Sequence, residues 1–364
     1  MGFERVPPSI GKLKLIRDLG ISGCVSLTHM PRGIGQLTSL EYLTTFVLAK
    51  DNGVSKHSGG LGELRYLNNL REDLEILNLQ YVKNPASEFE AANLKEKQHL
   101  QSLSLAWQLG DRYDNDSNRG PDNVENDEEM SLEEFRPHLN LKELIVYGCG
   151  RLMFPSWISS LTNLVTLQID DCKKCQYFPP LEQFPSLKRL MIVNLTDLES
   201  CPNLTSMPLI PSIRKLVLKN ASKKSLEDIL KVKISVSQST SSSISLSKLQ
   251  ILTIENIEDL EFLPEELWHL PSLELLAIEA CEKLDLSDDM QWQYLRSLRE
   301  LQLVNMNKLH PSRRDFNMFP LCTNSQLKVV IIWNLYRSGW KASLHYNLSV
   351  LKNALNCQKD AKTT

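Results

Sequence analysis

The stretch Leu141–Cys149 reads LKELIVYGC, with apolar residues at its first, fourth and sixth positions and cysteine at its ninth. The same frame returns in Ile16–Cys24, Leu164–Cys172 and Leu273–Cys281. Further copies keep the leucines but replace the cysteine. A frame that recurs about every two dozen residues indicates a repeat protein, in which each repeat buries its apolar side against its neighbours.

Each copy of the frame alternates apolar and other residues, as in Leu144-x-Val146 and Leu167-x-Ile169. This alternation predicts a short strand with one buried face. An apolar-Pro-x-x-apolar signature follows, for example at Phe154-Pro155, where proline takes the chain out of the sheet because it lacks an N–H. We therefore predict an α/β repeat fold: a leucine-rich-repeat solenoid, curved as a horseshoe. A parallel β-sheet would line its concave face, with irregular or short-helical returns on the convex face.

Three polar stretches interrupt the period and are predicted to be insertions in a solenoid spanning residues 1–335. They lie near residues 50–62, 108–135 and 222–247, the last starting with a short helix. A longer amphipathic helix is predicted over residues 86–100. Residues 336–364 are predicted to form a C-terminal helical cap or tail, because leucines recur there at helical spacing: Leu344, Leu348, Leu351 and Leu355.

The chain lacks the motifs of an enzyme or of a cofactor site. There is no glycine-rich phosphate loop, no serine-nucleophile elbow and no zinc-protease helix, so we expect no cofactor and no catalysis. Cys172-x-x-Cys175 has the spacing of zinc ligands but stands alone, so no metal is expected. The net charge of −3 gives no reason to expect a nucleic-acid partner.

The amino-terminal residues have no signal-peptide pattern, and no apolar run reaches the length of a membrane span. The cysteines at the ninth position of the frame are explained as buried free thiols, which suits a reducing compartment. We therefore expect the protein in the cytoplasm, or in the nucleus, without a membrane span.

Several longer segments resemble the leucine-rich repeats of plant nucleotide-binding disease-resistance proteins of the coiled-coil class. The segment Ile34–Val47, read as IGQLTSLEYLTTFV, is similar to that family's first repeats, and so is Glu90–Leu100 running into Leu103–Trp107. The segments Phe154–Ile158 and Phe184–Lys188 are similar to its middle repeats. The resemblance covers roughly residues 1–310, whereas the coiled-coil and nucleotide-binding regions of the family are missing.

The resemblance implies a non-enzymatic recognition module of plant innate immunity. Such repeats sense a pathogen effector or a modified host protein, and they restrain a nucleotide-binding switch domain supplied in cis or in trans. Two alternatives stay open: an extracellular leucine-rich-repeat receptor ectodomain, which predicts a signal peptide and asparagine in place of cysteine, and a ubiquitin-ligase substrate adapter, which needs a helical domain before the repeats.

The partner-binding residues are predicted at the strand positions that face away from the leucines. Those positions are Glu143, Tyr147, Thr166, Gln168, Asp170, Arg189, Met191, Lys215, Lys219, Glu255, Glu279, Glu300 and Gln302. At the front, Val6-Pro7-x-x-Ile10 matches the return half of a repeat whose strand half would lie upstream. We therefore expect part of a longer receptor, or a truncated relative that docks on a nucleotide-binding domain of another chain.

Overall fold

The computed structural model describes residues 6–21, 24, 26–50, 57–107, 130–149, 152–172, 181–194, 212–230, 246–286, 294–306, 328–335 and 340–347. The chain forms two compact units. Unit 1 comprises residues 1–187 and 199–203, and unit 2 comprises residues 188–198 and 204–364. Each unit is built from stacked leucine-rich repeats, which confirms the predicted fold class.

Unit 1 contains a parallel sheet of five strands joined in the order β1-β2-β3-β5-β7. Its strands are β1 (Thr45–Val47), β2 (Glu72–Leu77), β3 (Leu100–Ala106), β5 (Glu143–Tyr147) and β7 (Thr166–Asp170). Two short strands, β4 (Met130–Ser131) and β6 (Leu152–Met153), form a separate parallel pair. Consecutive repeats form neighbouring parallel strands, because each return path brings the chain back to the side of the sheet where the next strand begins.

The leucines of the frame lie opposite one another in adjacent strands of unit 1. Leu103 is in register with Leu144, and Leu144 with Leu167. All three side chains are at most 1% exposed. A fully buried leucine contributes about 1.5–3 kcal/mol relative to an exposed one, so these rows hold the repeats together.

The returns of unit 1 are mostly single turns of 3-10 helix, at Pro8–Lys12, Ile34–Gln36, Leu61–Tyr66, Leu79–Tyr81, Leu94–Glu96, Ser156–Ser160 and Leu181–Gln183. The longest helix in the described part of unit 1 is α1 (Pro85–Ala92), which is shorter than the predicted helix over residues 86–100. It ends because Asn93 takes a left-handed backbone with φ of 50°. Phe89, Ala92 and Leu94 are nevertheless buried as predicted.

Unit 2 contains β8 (Arg189–Val193), β9 (Lys215–Lys219), β10 (Ile251–Glu255), β11 (Leu275–Glu279), β12 (Glu300–Val304), β13 (Lys328–Leu335) and β14 (Trp340–Asn347). Strands β8 to β13 are parallel and pair in sequence order. Leu216, Leu252, Leu276 and Leu301 share one register, although the connections between them differ in length. A 3-10 turn, Glu265–His269, and helix α2 (Lys223–Leu230) lie in its returns.

The predicted carboxy-terminal helix is wrong at its start. Leu344 lies in β14, which pairs antiparallel with β13 from Lys328↔Asn347 to Leu335↔Trp340. The backbone N–H and C=O groups along an edge strand need partners, and β14 supplies them for β13. Leu348, Leu351 and Leu355 lie outside the described residues.

The predicted insertions are shorter in the structure, and the first predicted strand is reduced. Residues 57–62 belong to a repeat, since the Gly59 amide donates to the Met30 carbonyl at 2.8 Å. Leu132 and Phe135 are buried, and α2 confirms the predicted short helix with Leu226 and Ile229 inside. Residues 108–129 and 231–245 lie outside the described part. The predicted strand over residues 16–21 forms a single bridge, Asp18↔Tyr42.

Carboxylates join neighbouring repeats by accepting hydrogen bonds from the amides of a turn. The two oxygens of Glu63 accept from the Gly33 and Gly35 amides at 2.9 and 2.8 Å. Glu133 accepts from the Ser156 amide at 2.6 Å and from its hydroxyl at 2.8 Å. Asp259 accepts from the Lys223 amide, at the start of α2, at 2.8 Å. The first amides of a helical turn have no partner within the turn, so these carboxylates satisfy them.

Candidate functional site

The outward face of each sheet is the surface formed by the first, third and fifth residues of the five-residue strands, on the side away from the leucine core. Strand β10 shows the alternation plainly. Leu252 and Ile254 are fully buried, whereas Ile251, Thr253 and Glu255 are partly exposed. The alternation follows from strand geometry, in which successive side chains point to opposite sides. Strands β11 and β12 alternate in the same way, which confirms the predicted parity of these three frames.

The outward face of unit 1 is more closed than the sequence suggests. Among its predicted partner-binding residues, Glu143 and Gln168 are partly exposed. Tyr147, Thr166 and Asp170 are only 7%, 2% and 5% exposed. Tyr147 stands opposite Asp170, and neighbouring parallel strands lie only about 4.8 Å apart, so adjacent outward side chains cover one another. These three residues therefore offer a partner little surface.

Unit 2 places all eight of its predicted partner-binding residues where solvent reaches them. Arg189 is exposed; the others are partly exposed, namely Met191, Lys215, Lys219, Glu255, Glu279, Glu300 and Gln302. Their charges are segregated. The charged residues of β8 and β9 on this face are basic, and those of β10, β11 and β12 are acidic.

An ion pair marks the boundary between the basic and acidic parts of this face. Lys219 Nζ lies 2.6 Å from Glu255 Oε1. Glu255 stands opposite Glu279 in the next strand. Partial burial raises the pKa of Glu279, the Glu255 carboxylate raises this pKa further, and Lys219 partly offsets both. A carboxylate beside a like charge gains from an additional cation.

The residue that follows a strand repeatedly takes a left-handed backbone. Asp171, Asn194, Asn220, Asn256, Ala280 and Asn305 have φ between 49° and 54°, and Gly148 has φ of 67°. Asparagine and glycine tolerate this region better than other residues do. The backbone amide at this position then bonds to the next strand, as Asn220 N–H does to the Glu255 carbonyl at 2.9 Å.

Three of these residues form an asparagine ladder, which consists of Asn194, Asn220 and Asn256. The Asn256 side-chain amide donates to Asn220 Oδ1 at 2.7 Å, and the Asn220 side-chain amide donates to Asn194 Oδ1. The ladder fixes the end of the outward face over β8, β9 and β10. Asparagine at a fixed distance after the strand was the sequence signal for it.

Three of the four frame cysteines are buried and structural, whereas Cys24 is free but only partly buried. Cys149 and Cys172 are free and buried, and Cys281 is as well. The Cys172 thiol donates to the Asp170 carbonyl at 3.4 Å, and the Cys281 thiol donates to the Glu279 carbonyl at 3.5 Å. Burial raises the pKa of Cys149 to about 12 and also raises those of Cys172 and Cys281. These thiols therefore stay protonated and unreactive near neutral pH.

No group of three or more His, Cys, Asp or Glu side chains in the described ranges could hold a metal ion. Cys175 of the zinc-like pair lies outside them. The glycine-rich turn at Gly33 and Gly35, which could otherwise attract an anion, already gives its amides to Glu63. No helix within the described ranges is long and apolar enough to cross a lipid bilayer.

Sequence reasoning missed apolar members of the outward face of unit 2. Ile251, Leu275, Ala277 and Val304 are partly exposed at outward positions. An apolar residue in a strand usually indicates the buried face. These residues occupy the first, third or fifth position of their strands, as Glu255 and Glu300 do, and that position is the sequence signal for the outward face.

Residues 61–195 match the family of leucine-rich repeats described as R13L1/DRL21 LRRs. A relative named RGA4 from Solanum bulbocastanum is 39% identical over 172 residues, which are 47% of this chain and 16% of the relative. The disease resistance protein RGA2 of the same species is 36% identical over 42% of this chain and 14% of its own length. A disease resistance RPP13-like protein from Arabidopsis thaliana is 31% identical over 40% of this chain and 13% of its own length.

These matches confirm the resemblance to the leucine-rich repeats of plant disease resistance proteins. The chain spans about a sixth or less of the length of these relatives. Among solved structures, the leucine-rich-repeat protein LIC12759 of Leptospira interrogans is 18% identical, with a TM-score of 0.42, over 88% of this chain and 75% of that one.

Proposed function

We propose that this leucine-rich-repeat chain, related in sequence to plant disease resistance proteins, is a non-enzymatic protein-recognition module of plant innate immunity. It would bind a pathogen effector, or a host protein that an effector modifies, in the cytoplasm or nucleus. It would also restrain a nucleotide-binding switch domain, supplied in cis or in trans. The match of residues 61–195 to the R13L1/DRL21 repeats and the 39% identity to RGA4 over 172 residues support this function over an extracellular receptor ectodomain or a ubiquitin-ligase adapter.

The observation that carries the proposal is the outward face of unit 2. Its side chains stand on strands held in one register by buried leucines, so they form a pre-arranged surface. Binding to a rigid surface loses less conformational entropy than binding to a mobile loop. The face also presents both charges and apolar groups, the mixture that protein interfaces use.

Proximity labelling in leaf cells tests this function. The full chain is fused to a labelling enzyme and expressed with and without a set of pathogen effectors. A face variant carries Arg189→Glu, Met191→Asp and Gln302→Lys. A control variant carries charge changes of the same sign and size at exposed positions outside the sheet: Lys283→Glu, Asn68→Asp and Gln183→Lys.

We expect the wild type and the control to label the same effector or host protein, and the face variant to lose it. Identical labelling by all three chains would contradict recognition through this face. Restraint is tested separately, by co-expressing the chain with a nucleotide-binding switch domain of a plant disease-resistance protein of the coiled-coil class, expressed without its own repeats. Cell death that is undiminished by the chain would contradict restraint in trans.

A further inference from the structure

Strands β10, β11 and β12 carry an acidic apolar patch that differs from the rest of the outward face. We define it by Ile251, Leu275, Ala277, Glu255, Glu279 and Glu300, all partly exposed. The charged residues at the matching positions of β8 and β9 are basic, namely Arg189, Lys215 and Lys219, and the remaining positions there are apolar. The patch is therefore the place on this face where exposed aliphatic carbon and negative charge come together.

The register gives the patch a definite geometry. Ile251 stands opposite Leu275, and Glu255 stands opposite Glu279. The apolar pair begins the two strands and the carboxylate pair ends them, so the two pairs lie about 13 Å apart at a rise of about 3.3 Å per residue. Ala277 lies between the two pairs, and its small side chain leaves room for a partner side chain above it.

The apolar pair favours a partner made of protein. Ile251 and Leu275 occupy the position that Arg189 and Lys215 take in the preceding strands, where side chains are solvated. Removing apolar surface from water stabilises a complex by about 25 cal/mol per Å². Exposed aliphatic groups bordered by charge are typical of protein docking sites.

The carboxylate pair favours a basic partner. Glu255 already bonds to Lys219 at 2.6 Å, and Glu279 stands beside it as a second carboxylate on the far side from that lysine. The fifth position of β12 is Val304, and no cation occupies an outward position of β10 or β11. Burial and Glu255 raise the pKa of Glu279, as expected for a carboxylate that would gain from a further cation.

We propose that the acidic apolar patch binds a protein segment with two features: a lysine or arginine that meets Glu255 and Glu279, and a large aliphatic or aromatic side chain that covers Ile251 and Leu275. In an extended segment these two side chains would be about four residues apart, since that spacing spans about 13 Å. The proposal rests on the proposed function and specifies the chemistry of the partner that unit 2 would recognise.

A displayed library of random twelve-residue peptides, selected on the full chain, tests the proposal. We expect the enriched peptides to carry Lys or Arg about four residues from Leu, Ile, Phe or Trp. Synthetic copies are then titrated against two double variants. Glu255→Gln with Glu279→Gln removes the charge of the carboxylate pair, whereas Glu258→Gln with Glu282→Gln removes two exposed acids outside the patch.

The patch variant should raise Kd by about tenfold or more, and the control by less than about twofold. Leu275→Ser, an outward change, should also weaken binding, and added salt should weaken it in the wild type. Melting curves establish that each variant is folded. Enriched peptides without basic residues, an unchanged Kd in the patch variant, or a library that yields no binder would each overturn the proposal.

Two further outcomes separate this proposal from the function on which it rests. If the labelled partner in leaf cells depends on Arg189 and Met191 but not on Glu255 and Glu279, recognition by the outward face stands and this patch assignment falls. If the wild type forms a dimer in solution that the patch variant loses, the occupant is a second copy of this chain, which also overturns the proposal.

Discussion

Of the residues that follow a strand in the left-handed backbone conformation, Ala280 is the type that suits this conformation least. Its φ is 51°, and its amide bonds to the Val304 carbonyl at 2.9 Å, as the asparagines of the ladder do to their own neighbours. A left-handed backbone costs an ordinary L-residue roughly 1–2 kcal/mol, and asparagine less. Alanine also lacks the side-chain amide that would extend the ladder beyond Asn256.

Ala280→Asn should therefore stabilise unit 2. We expect the free energy of unfolding to rise by about 0.5–1 kcal/mol, because the backbone penalty falls and a hydrogen bond to Asn256 becomes available. Thermal and urea unfolding of the purified chain measure it. Ala280→Ser is the control that gains neither effect, and equal stability of the Asn and Ser variants would show that the ladder does not extend to this position.

Lys97 is a buried cation in unit 1. Its side chain is 0% exposed, and Nζ donates to the Leu64 carbonyl at 2.7 Å and to the Leu67 carbonyl at 3.4 Å. Burial lowers the pKa of Lys97 to about 8, partly offset by Glu96. The Lys97 ammonium group closes the end of the Leu61–Tyr66 turn, where carbonyl groups need hydrogen-bond donors.

The lowered pKa makes the stability of the wild type depend on pH in a definite direction. Between about pH 8 and pH 10.5 the folded chain has released the Lys97 proton while the unfolded chain still holds it, so rising pH favours the fold. Measured against Lys97→Met, the wild type should gain on the order of 2 kcal/mol from pH 8 to pH 10 in urea unfolding. If the unfolding free energies of the two proteins change with pH in parallel, the lysine is solvated in the folded chain.

At the scale of the strand, one residue of register decides whether a side chain lies in the core or on the outward face. Leu167 is 0% exposed within β7, and Gln168 beside it is partly exposed. A carboxylate placed in the leucine row would have no partner there. The same carboxylate on the outward face would stay solvated.

Leu167→Asp should cost several kcal/mol of unfolding free energy, because it buries an unpaired charge and leaves a cavity. Gln168→Asp should lower the free energy of unfolding by about 0.5 kcal/mol or somewhat more, since the like-charged Asp170 lies on the same face. Comparison of the two melting temperatures tests the strand parity directly, and equal shifts would refute it.

The turns depend on contacts between repeats that are too close for larger side chains. A Cβ placed on Gly35 would stand 2.4 Å from the Glu63 carbonyl oxygen, and one on Gly11 would stand 2.6 Å from the Gly33 carbonyl oxygen. Backbone cannot yield as a flexible side chain does. Glycine is therefore needed at these turns for close approach, while Glu63 closes the same turn from the neighbouring repeat.

Over the whole molecule, stability should vary from repeat to repeat. In a stack each repeat is held by its neighbours, so a repeat with weaker contacts opens more readily. Residues 16–21 are tied by one bridge, whereas β10 pairs along its full length on both sides. Hydrogen exchange should therefore be fast over residues 16–21 and slowest in β10 and β11. Uniform protection would contradict this gradient.

The repeating frame was enough to predict strands β5 and β7 to β12 and the leucine rows within them, because both follow from local alternation. It did not predict β14, since pairing with an edge strand is a non-local event that overrode the helical spacing at Leu344. For the candidate site, the sequence predicted which residues face outward. It did not predict that Thr166 and Asp170 are buried. Burial at an outward position depends on the neighbouring strands, which the pattern within one strand does not show.

The common register of Leu216, Leu252, Leu276 and Leu301 has a consequence for inheritance. Connections of unequal length join these strands, yet each leucine meets the next without a shift. Codons gained or lost between the strands would change the returns and leave the core intact. Changes at outward positions would alter the exposed surface at little cost to folding. In a lineage that carries this gene, the outward surface can therefore change faster than the fold does.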